Sequence, residues 1–432
     1  MMAAGRAAES GAEVLLMEKT EQVGKKILIS GKTRCNLTNT KELDDFITMY
    51  GTNGKFLYHS FNQFFREDLL AFLDRYDLET KTERGGRIFP VTDDAHDVVN
   101  VFTLYMSENK VKIHTGRSVN KILTENKRIV GIQAGEKYYP ASAVVLATGG
   151  ASYPATGSAG EGFRLASELG HTVIKLRPAL VPLVVKEIER AKSMQGVSLH
   201  NVRLTAFQCP ADEIDNSKIP NKDIGRGIPG KKPQSPIIES RLGDMMFTHF
   251  GIGGPITLQM SLAIVDAIAH GPVSVSIDLK PGLSNKELRV RLQRDFEAYS
   301  KRSFINLLKL VLPQKLMEPF VEMSQISPEK RGNEITSDER ERLLFLLKSL
   351  RFNIKSSLPL TSAMVTAGGV SLSEIDPYTM SSLLIKGLYF CGEVMDIDAE
   401  TGGYNLQAAF STGYVAGENA ALYVLGKSRI KS

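Results

Sequence analysis

The sequence predicts an α/β fold whose parallel sheet is interrupted by a β-rich segment and then by a helical one. Three observations carry this. Strand-like and helix-like stretches alternate over the first 180 residues. Short β-rich runs without long helices fill residues 181 to about 275. From Ser284 to about Ser357 the apolar spacing turns helical, and the chain then returns to glycine-rich β sequence.

Taken in order, Met2 to Ser10 reads as an Ala-rich helix stopped by Gly11, and Glu13 to Met17 as a buried strand closed by Glu18. "FNQFFREDLLAFLDRYDLE" (61–79) carries apolar residues at helical spacing. Residues 117–150 read as strand, turn, strand, short link, strand; the last, Ala143 to Ala147, is a continuous apolar run that fits a fully buried parallel strand. "GEGFRLASELGH" (160–171) is a helix stopped by Gly170. "ALVPLVVKE", "NVRLTAFQC" and "GPVSVSIDLKPG" suggest an inserted barrel or sandwich, with a Pro/Gly/Lys-rich loop at 215–236. Helical patterns follow in "NKELRVRLQRDFEAY", "FINLLKLVLP", "QKLMEPFVEMS" and "SDERERLLFLLKSL", punctuated by Pro313 and Pro328. The expected division is therefore 1–180, an insert at 181–281, a helical domain at 282–357, and a return to the first domain at 358–432.

At 432 residues the chain can bury a substantial core, and its 42% hydrophobic and 23% charged content is ordinary for a globular protein. No apolar run approaches the roughly 20 residues that span a bilayer, and residues 1–19 lack the pattern of a secretory signal. Cys35, Cys209 and Cys391 lie far apart, which argues for a reducing, cytoplasmic setting and against a zinc site or a disulfide scaffold. The formal charge of +5 suits an anionic ligand but falls short of a nucleic-acid footprint, so no nucleic-acid or membrane partner is expected.

Four constellations could carry chemistry. Glu18, at the end of its strand, stands where dinucleotide-binding folds place a ribose acceptor, or is a surface carboxylate paired with Lys19 or Lys25. "GKKILISGKTRCNLTN" (24–39) combines Gly24 and Gly31 with short polar groups and four cations; it could cradle a pyrophosphate, or be a turn-rich loop. "VVLATGGASYPATGSAGEGF" (144–163) delivers small residues from a buried strand, where a backbone can approach a ligand. "LYFCGEVMDIDAETGGYNLQAAFSTGYVAG" (388–417) does so again, with Gly402-Gly403 opening a helix whose N-terminus would face an anion. Two further signals are set aside. "GRGIPGKK" (225–232) has Lys232 where a phosphate loop needs a hydroxyl, and His249 in "FTHFGIGGP" is alone among aromatics.

Assembled, "KKILISGKTRCNLTN", "LATGGASYPATGSAGEGFRLASELGH", "FTHFGIGGP" and "GLYFCGEVMDIDAETGGYNLQAAFSTGYVAG" resemble, in order and spacing, the BaiN/YhiN-like NAD(P)/FAD-dependent oxidoreductases, also described as aminoacetone oxidase-like. The resemblance runs over essentially the whole chain. It implies a glutathione-reductase-type, Rossmann-like FAD-binding domain made from both chain ends, with an inserted β-barrel and a small helical insert. It further implies that Glu18 binds the adenosine ribose; that Lys26, Ser30, Gly31, Arg34, Cys35 and Asn36 line the pyrophosphate and flavin; and that Val119 backs the adenine near Ala147, Thr148 and Gly149. Gly392, Glu393, Asp396, Gly403, Asn405, Leu406 and Gln407 would hold the ribityl chain and the flavin's pyrimidine side. Two departures stand out. Family members usually read SGGGRCN where this chain has Ser30-Gly31-Lys32-Thr33-Arg34-Cys35-Asn36, and they open with a strand and GxGxxG-type turn, with Met1 aligning just beyond it.

The expected function is transfer of a hydride between NAD(P)H or a small organic substrate and an acceptor through FAD. The alternative is a shortened or degenerate flavoprotein fold that binds without catalysing. No residue stands out as a general base; Cys35, His249 and Tyr404 are the weak catalytic candidates, and no metal is expected.

Overall fold

The computed structural model describes residues 1–225 and 236–426. All of the "GRGIPGKK" stretch after Gly225, and ten of the 22 residues of the 215–236 loop, fall on residues 226–235, outside the described residues. The chain divides into two compact units, residues 1–177 with 360–432, and residues 178–359.

In the first unit the Met2–Glu9 helix buries Met2, Ala3, Gly5 and Ala7. It lies against the Tyr404–Val424 helix, where small residues permit the approach: a Cβ on Gly417 would stand 2.3 Å from the Ala3 carbonyl oxygen. The Leu15–Met17 strand pairs in parallel with Lys112–His114, and Val144–Leu146 with Leu388–Phe390. Among the described residues no strand joins these two ladders. Leu15, Leu16, Met17, Val144 and Val145 are accordingly only half-buried, where their apolar runs predict full burial. A parallel strand is enclosed only when it has neighbours on both edges.

A separate antiparallel meander holds Lys121–Glu125, Arg128–Ala134 and Lys137–Pro140. Lys137–Pro140 is a strand where the sequence suggested a link. The 61–79 pattern is two helices, Tyr58–Gln63 and Arg66–Asp74, broken where Phe64 turns extended and stacks on Tyr414 at 4.8 Å.

Just beyond the Glu161–Glu168 helix, His171 is buried; its Nε2 lies 2.8 Å from Ser382 Oγ and its Nδ1 3.2 Å from Glu374. Ser382 Oγ also accepts from the Leu384 and Ile385 amides, so its own proton goes to His171. Burial holds the imidazole below its ordinary value, against the pull of Glu374. The unfolded chain takes up that proton near pH 6.5 and the folded one only lower, so stability falls as pH drops through about 6.5. A His171→Gln variant is expected to lose less stability than wild type between about pH 6.5 and 5, measured by urea denaturation; parallel losses would refute this.

The second unit is a closed six-stranded barrel in the order Leu183–Val185, Gly251–Gly253, Ile237–Phe247, Ser198–Phe207, Val273–Asp278, Leu350–Ser357. The pairing Leu183↔Ser357 closes it and decides between barrel and sandwich. Two expectations need correction. Pro255–Ile268 is a 14-residue helix inside a segment read as lacking long helices. Nine of its residues are buried, so no polar face marks its period. Leu350–Ser357, read as the end of the helical stretch, is the closing strand. Only Ser349 separates it from the Ser337–Lys348 helix, and its alternation Leu350, Phe352, Ile354 merges with the helix's apolar run. The helical insert comprises Asn285–Ala298, Phe304–Leu308, Gln314–Ser324 and Ser337–Lys348. Ser284 with Glu287, and Thr336 with Glu339, form capping boxes that start the first and last. Among the described residues no helix is long and apolar enough to cross a membrane, and no group of three or more His, Cys, Asp or Glu could hold a metal.

Candidate functional site

The site is built in the first unit at the carboxyl ends of Val144–Leu146 and Leu388–Phe390, the place where open α/β sheets receive ligands. The first strand becomes Ala147-Thr148-Gly149-Gly150, the second Cys391-Gly392-Glu393. A Cβ on Gly150 would stand 2.4 Å from Thr366 Oγ1 and 2.8 Å from Glu393 Oε1, so the missing side chain makes room for that carboxylate. Glu393 Oε1 accepts from the Thr366 amide at 2.8 Å.

Gly402 and Gly403 then bring the chain into the Tyr404–Val424 helix, both with positive φ (144° and 96°). Among the described residues no side chain caps this helix, so the amides after Gly403 and the positive end of its dipole are open to an anion. The glycine turn is pinned from the 36–39 segment. Asn39 Nδ2 donates to the Gly402 carbonyl at 3.0 Å, and Asn36, its amide oriented to satisfy both neighbours, accepts from the Gly403 amide at 3.0 Å and donates to the Thr38 carbonyl. Thr38 Oγ1 and Gln407 Oε1 are buried without a hydrogen-bond partner among the described residues. Unpaired buried polar atoms are costly and rare. Two of them flanking an uncapped helix start fit a polar-edged, anionic cofactor.

The other expected residues fall as follows. The Glu18 amide continues the parallel ladder to His114, and its carboxylate accepts from the Thr20 amide at 2.7 Å. Lys26 Nζ donates to Ser152 Oγ at 2.8 Å and lies 3.6 Å from Glu393 Oε2. Ser30 and Gly31 (φ 56°) open a run of left-handed residues that includes Lys32, Thr33 and Cys35. Arg34 is committed elsewhere: its guanidinium is bidentate on Glu83 at 3.0 and 2.8 Å, 3.4 Å from Asp93, and stacked on Phe89. Val119 is half-buried against the core. Asp396 accepts from Asn53, and burial pushes its carboxyl upward. Asn405 fixes the 399–400 backbone through Ala399, Leu406 packs on a neighbouring apolar cluster, and the Gly392 amide donates to Thr412.

Burial pushes the Cys35 thiol up to about 12 and the Cys391 thiol up to about 11, which leaves both protonated and poor nucleophiles. Tyr404 is a core residue, edge-on to Phe46 at 4.7 Å, its hydroxyl raised to about 12 by burial. His249 belongs to the second unit, its ring against Phe250.

Sequence reasoning did not single out Ser152 and Thr366. Ser152 could have been found, since it lies inside the small-residue run; Thr366, over 200 positions away, reaches the cluster only through the fold.

Comparison with known proteins adds relatives. The chain is 32% identical over 414 residues to the 3-dehydro-bile acid delta(4,6)-reductase of Clostridium scindens, covering 96% of this chain and 94% of that protein. It is 26% identical over 424 residues to the ribosomal RNA dihydrouridine synthase of Escherichia coli, covering 97% and 94%. The synthase of the same name from Haemophilus influenzae is 26% identical over 418 residues, covering 96% and 94%. The family model described as HI0933-like protein Rossmann domain matches residues 1–419. With two parallel ladders, glycine turns at their carboxyl ends and a family match over nearly its whole length, the chain belongs to the HI0933-like Rossmann-domain family.

Proposed function

We propose that the protein is an FAD-dependent oxidoreductase that reduces a small organic substrate at a conjugated double bond. The single observation that carries this is the uncapped start of the Tyr404–Val424 helix, flanked by two buried atoms, Thr38 Oγ1 and Gln407 Oε1, that have no hydrogen-bond partner among the described residues. The name of the Clostridium scindens relative supports the substrate class. FAD, when bound, would supply hydride transfer; NADH or NADPH is the proposed donor. Glu18 would hold the adenosine ribose. The amides at Tyr404 to Leu406 would face the pyrimidine edge, where negative charge accumulates on reduction, and Gln407 Oε1 would offer an acceptor to the ring's N–H. Asn36 and Asn39 would keep that turn in place, and Lys26 with Glu393 would set the charge at the crevice. The buried thiols take no part.

The test is the absorption spectrum of the full chain after incubation with FAD and gel filtration. A yellow protein that NADH or NADPH bleaches, and that an α,β-unsaturated ketone re-oxidises, is the expected result. A colourless one sinks the proposal and favours a non-catalytic binding protein.

A second substrate reading, a nucleic acid, is favoured by the charge distribution. Residues 178–359 hold 26 Lys and Arg against 20 Asp and Glu, while the remainder holds 27 against 28. The whole basic excess therefore lies in the second unit, and two relatives are named for ribosomal RNA. RNA binding that weakens steeply with salt, together with no turnover of small enones, would select this reading.

A further inference from the structure

Ser152 occupies a position that no part of the functional reading uses. It is fully buried, yet its Oγ touches three polar groups from three segments: Lys26 Nζ at 2.8 Å, Glu393 Oε1 at 3.3 Å and the Met364 carbonyl at 3.4 Å. Lys26 Nζ also lies 3.5 Å from the Ser152 carbonyl and 5.8 Å from the Tyr153 ring centroid. Glu393 Oε1 also accepts from the Thr366 amide at 2.8 Å, and Thr366 Oγ1 in turn accepts from the Ala151 amide at 2.9 Å. The ammonium and carboxylate themselves meet only at 3.6 Å, with side chains 31% and 19% exposed. A pair this loose and this wet has little reason to stay fixed on its own. The buried hydroxyl supplies the reason. The serine accepts from the lysine and donates to the carboxylate, so the two charges are set at one distance and one orientation beside the Gly149-Gly150 and Gly392 turns. Tyr153, which follows, sits at φ 50°, a backbone state that aromatic residues rarely adopt.

We propose that Ser152 is a positioning residue which holds Lys26 against Glu393, so that the balance of the two charges sets the midpoint potential of FAD in the crevice. The inference rests on the FAD reading and deepens it. Losing the hydroxyl releases Lys26 to solvent and leaves the Glu393 carboxylate behind, which disfavours an electron-rich ring. Removing the carboxylate instead leaves the cation uncompensated, which favours one.

The experiment is equilibrium reductive titration of the FAD-loaded full chain against a reference dye. Ser152→Ala is expected to lower the reduced-to-oxidised ratio at fixed potential about tenfold, a fall of about 30 mV for a two-electron couple. Glu393→Gln is expected to move it in the opposite direction, and Ser152→Thr, which keeps the hydroxyl, to restore the wild-type value. A merely structural serine would not give shifts of opposite sign. Ratios within twofold of wild type in both Ser152→Ala and Glu393→Gln overturn the proposal. So does loss of FAD from a folded Ser152→Ala protein, which would make the serine a direct ligand. A wild-type chain that takes up no FAD overturns the functional reading itself, and is told apart from those outcomes before any variant is titrated.

Discussion

Gly403→Ala is expected to destabilise the protein by about 3 kcal/mol and to abolish retention of FAD. A Cβ there would stand 2.4, 2.5 and 2.6 Å from the oxygen, carbon and Cα of Thr38, all backbone atoms that no rotamer change can move aside. Overpacking of this kind costs about 1–3 kcal/mol, and the φ of 96° adds the left-handed penalty of about 1–2 kcal/mol. The turn can relieve the clash only by pulling away from Thr38. That breaks the Asn36–Gly403 and Asn39–Gly402 hydrogen bonds and swings the first turn of the Tyr404–Val424 helix off the site. Gly135→Ala separates the two contributions, because Gly135 also has positive φ (61°) but nothing within 4 Å of a built Cβ. It should cost about 1 kcal/mol, the backbone term alone. Urea midpoints and flavin absorbance of the two variants decide; equal midpoints would show that the contact with Thr38 is not what makes Gly403 necessary.

The same glycine shows what could be read from the sequence. Gly402-Gly403 before a small-residue run marks a helix start near a ligand, and the helix begins at Tyr404. That a glycine is needed because Thr38 lies against it is not legible, since 365 positions separate them. Strands and helices with clear periods, such as Ser198–Phe207 and Asn285–Ala298, were readable; the mostly apolar Pro255–Ile268 was not, because its few polar residues, Thr257, Ser261 and Asp266 among them, are buried too and leave no polar face to show a period. In the site, Lys26 and Glu393 could be named from local motifs and the resemblance. Their coupling through Ser152 and Thr366 needed the fold. Arg34 shows the converse: its loop suggests an anion, yet Glu83, 49 positions on, takes its guanidinium.

The Lys32-Thr33 pair makes the sharpest test of the link between sequence and backbone. The resemblance places glycines at these two positions, and the chain holds Lys32 at φ 58° and Thr33 at φ 68°, within a left-handed run from Gly31 to Thr33. Left-handed geometry costs a residue with a Cβ about 1–2 kcal/mol, of which glycine returns about 0.5–1 kcal/mol as extra freedom in the unfolded chain. Both side chains are exposed, so their removal leaves no cavity. A tertiary bond here, from the Ala95 amide to the Thr33 carbonyl at 2.9 Å, belongs to the backbone and survives substitution. The double variant Lys32→Gly, Thr33→Gly is therefore expected to gain about 1–2 kcal/mol, with the larger share from Thr33, whose branched Cβ suits positive φ least. Cys35→Gly is the contrasting case: φ is 61° there too, but the side chain is fully buried, so lost packing outweighs relieved strain and stability falls. Urea denaturation of the three proteins gives the order double variant, wild type, Cys35→Gly. A double variant no more stable than wild type would mean that the loop does not hold its left-handed run in solution, and that this turn differs from the glycine-rich one it resembles.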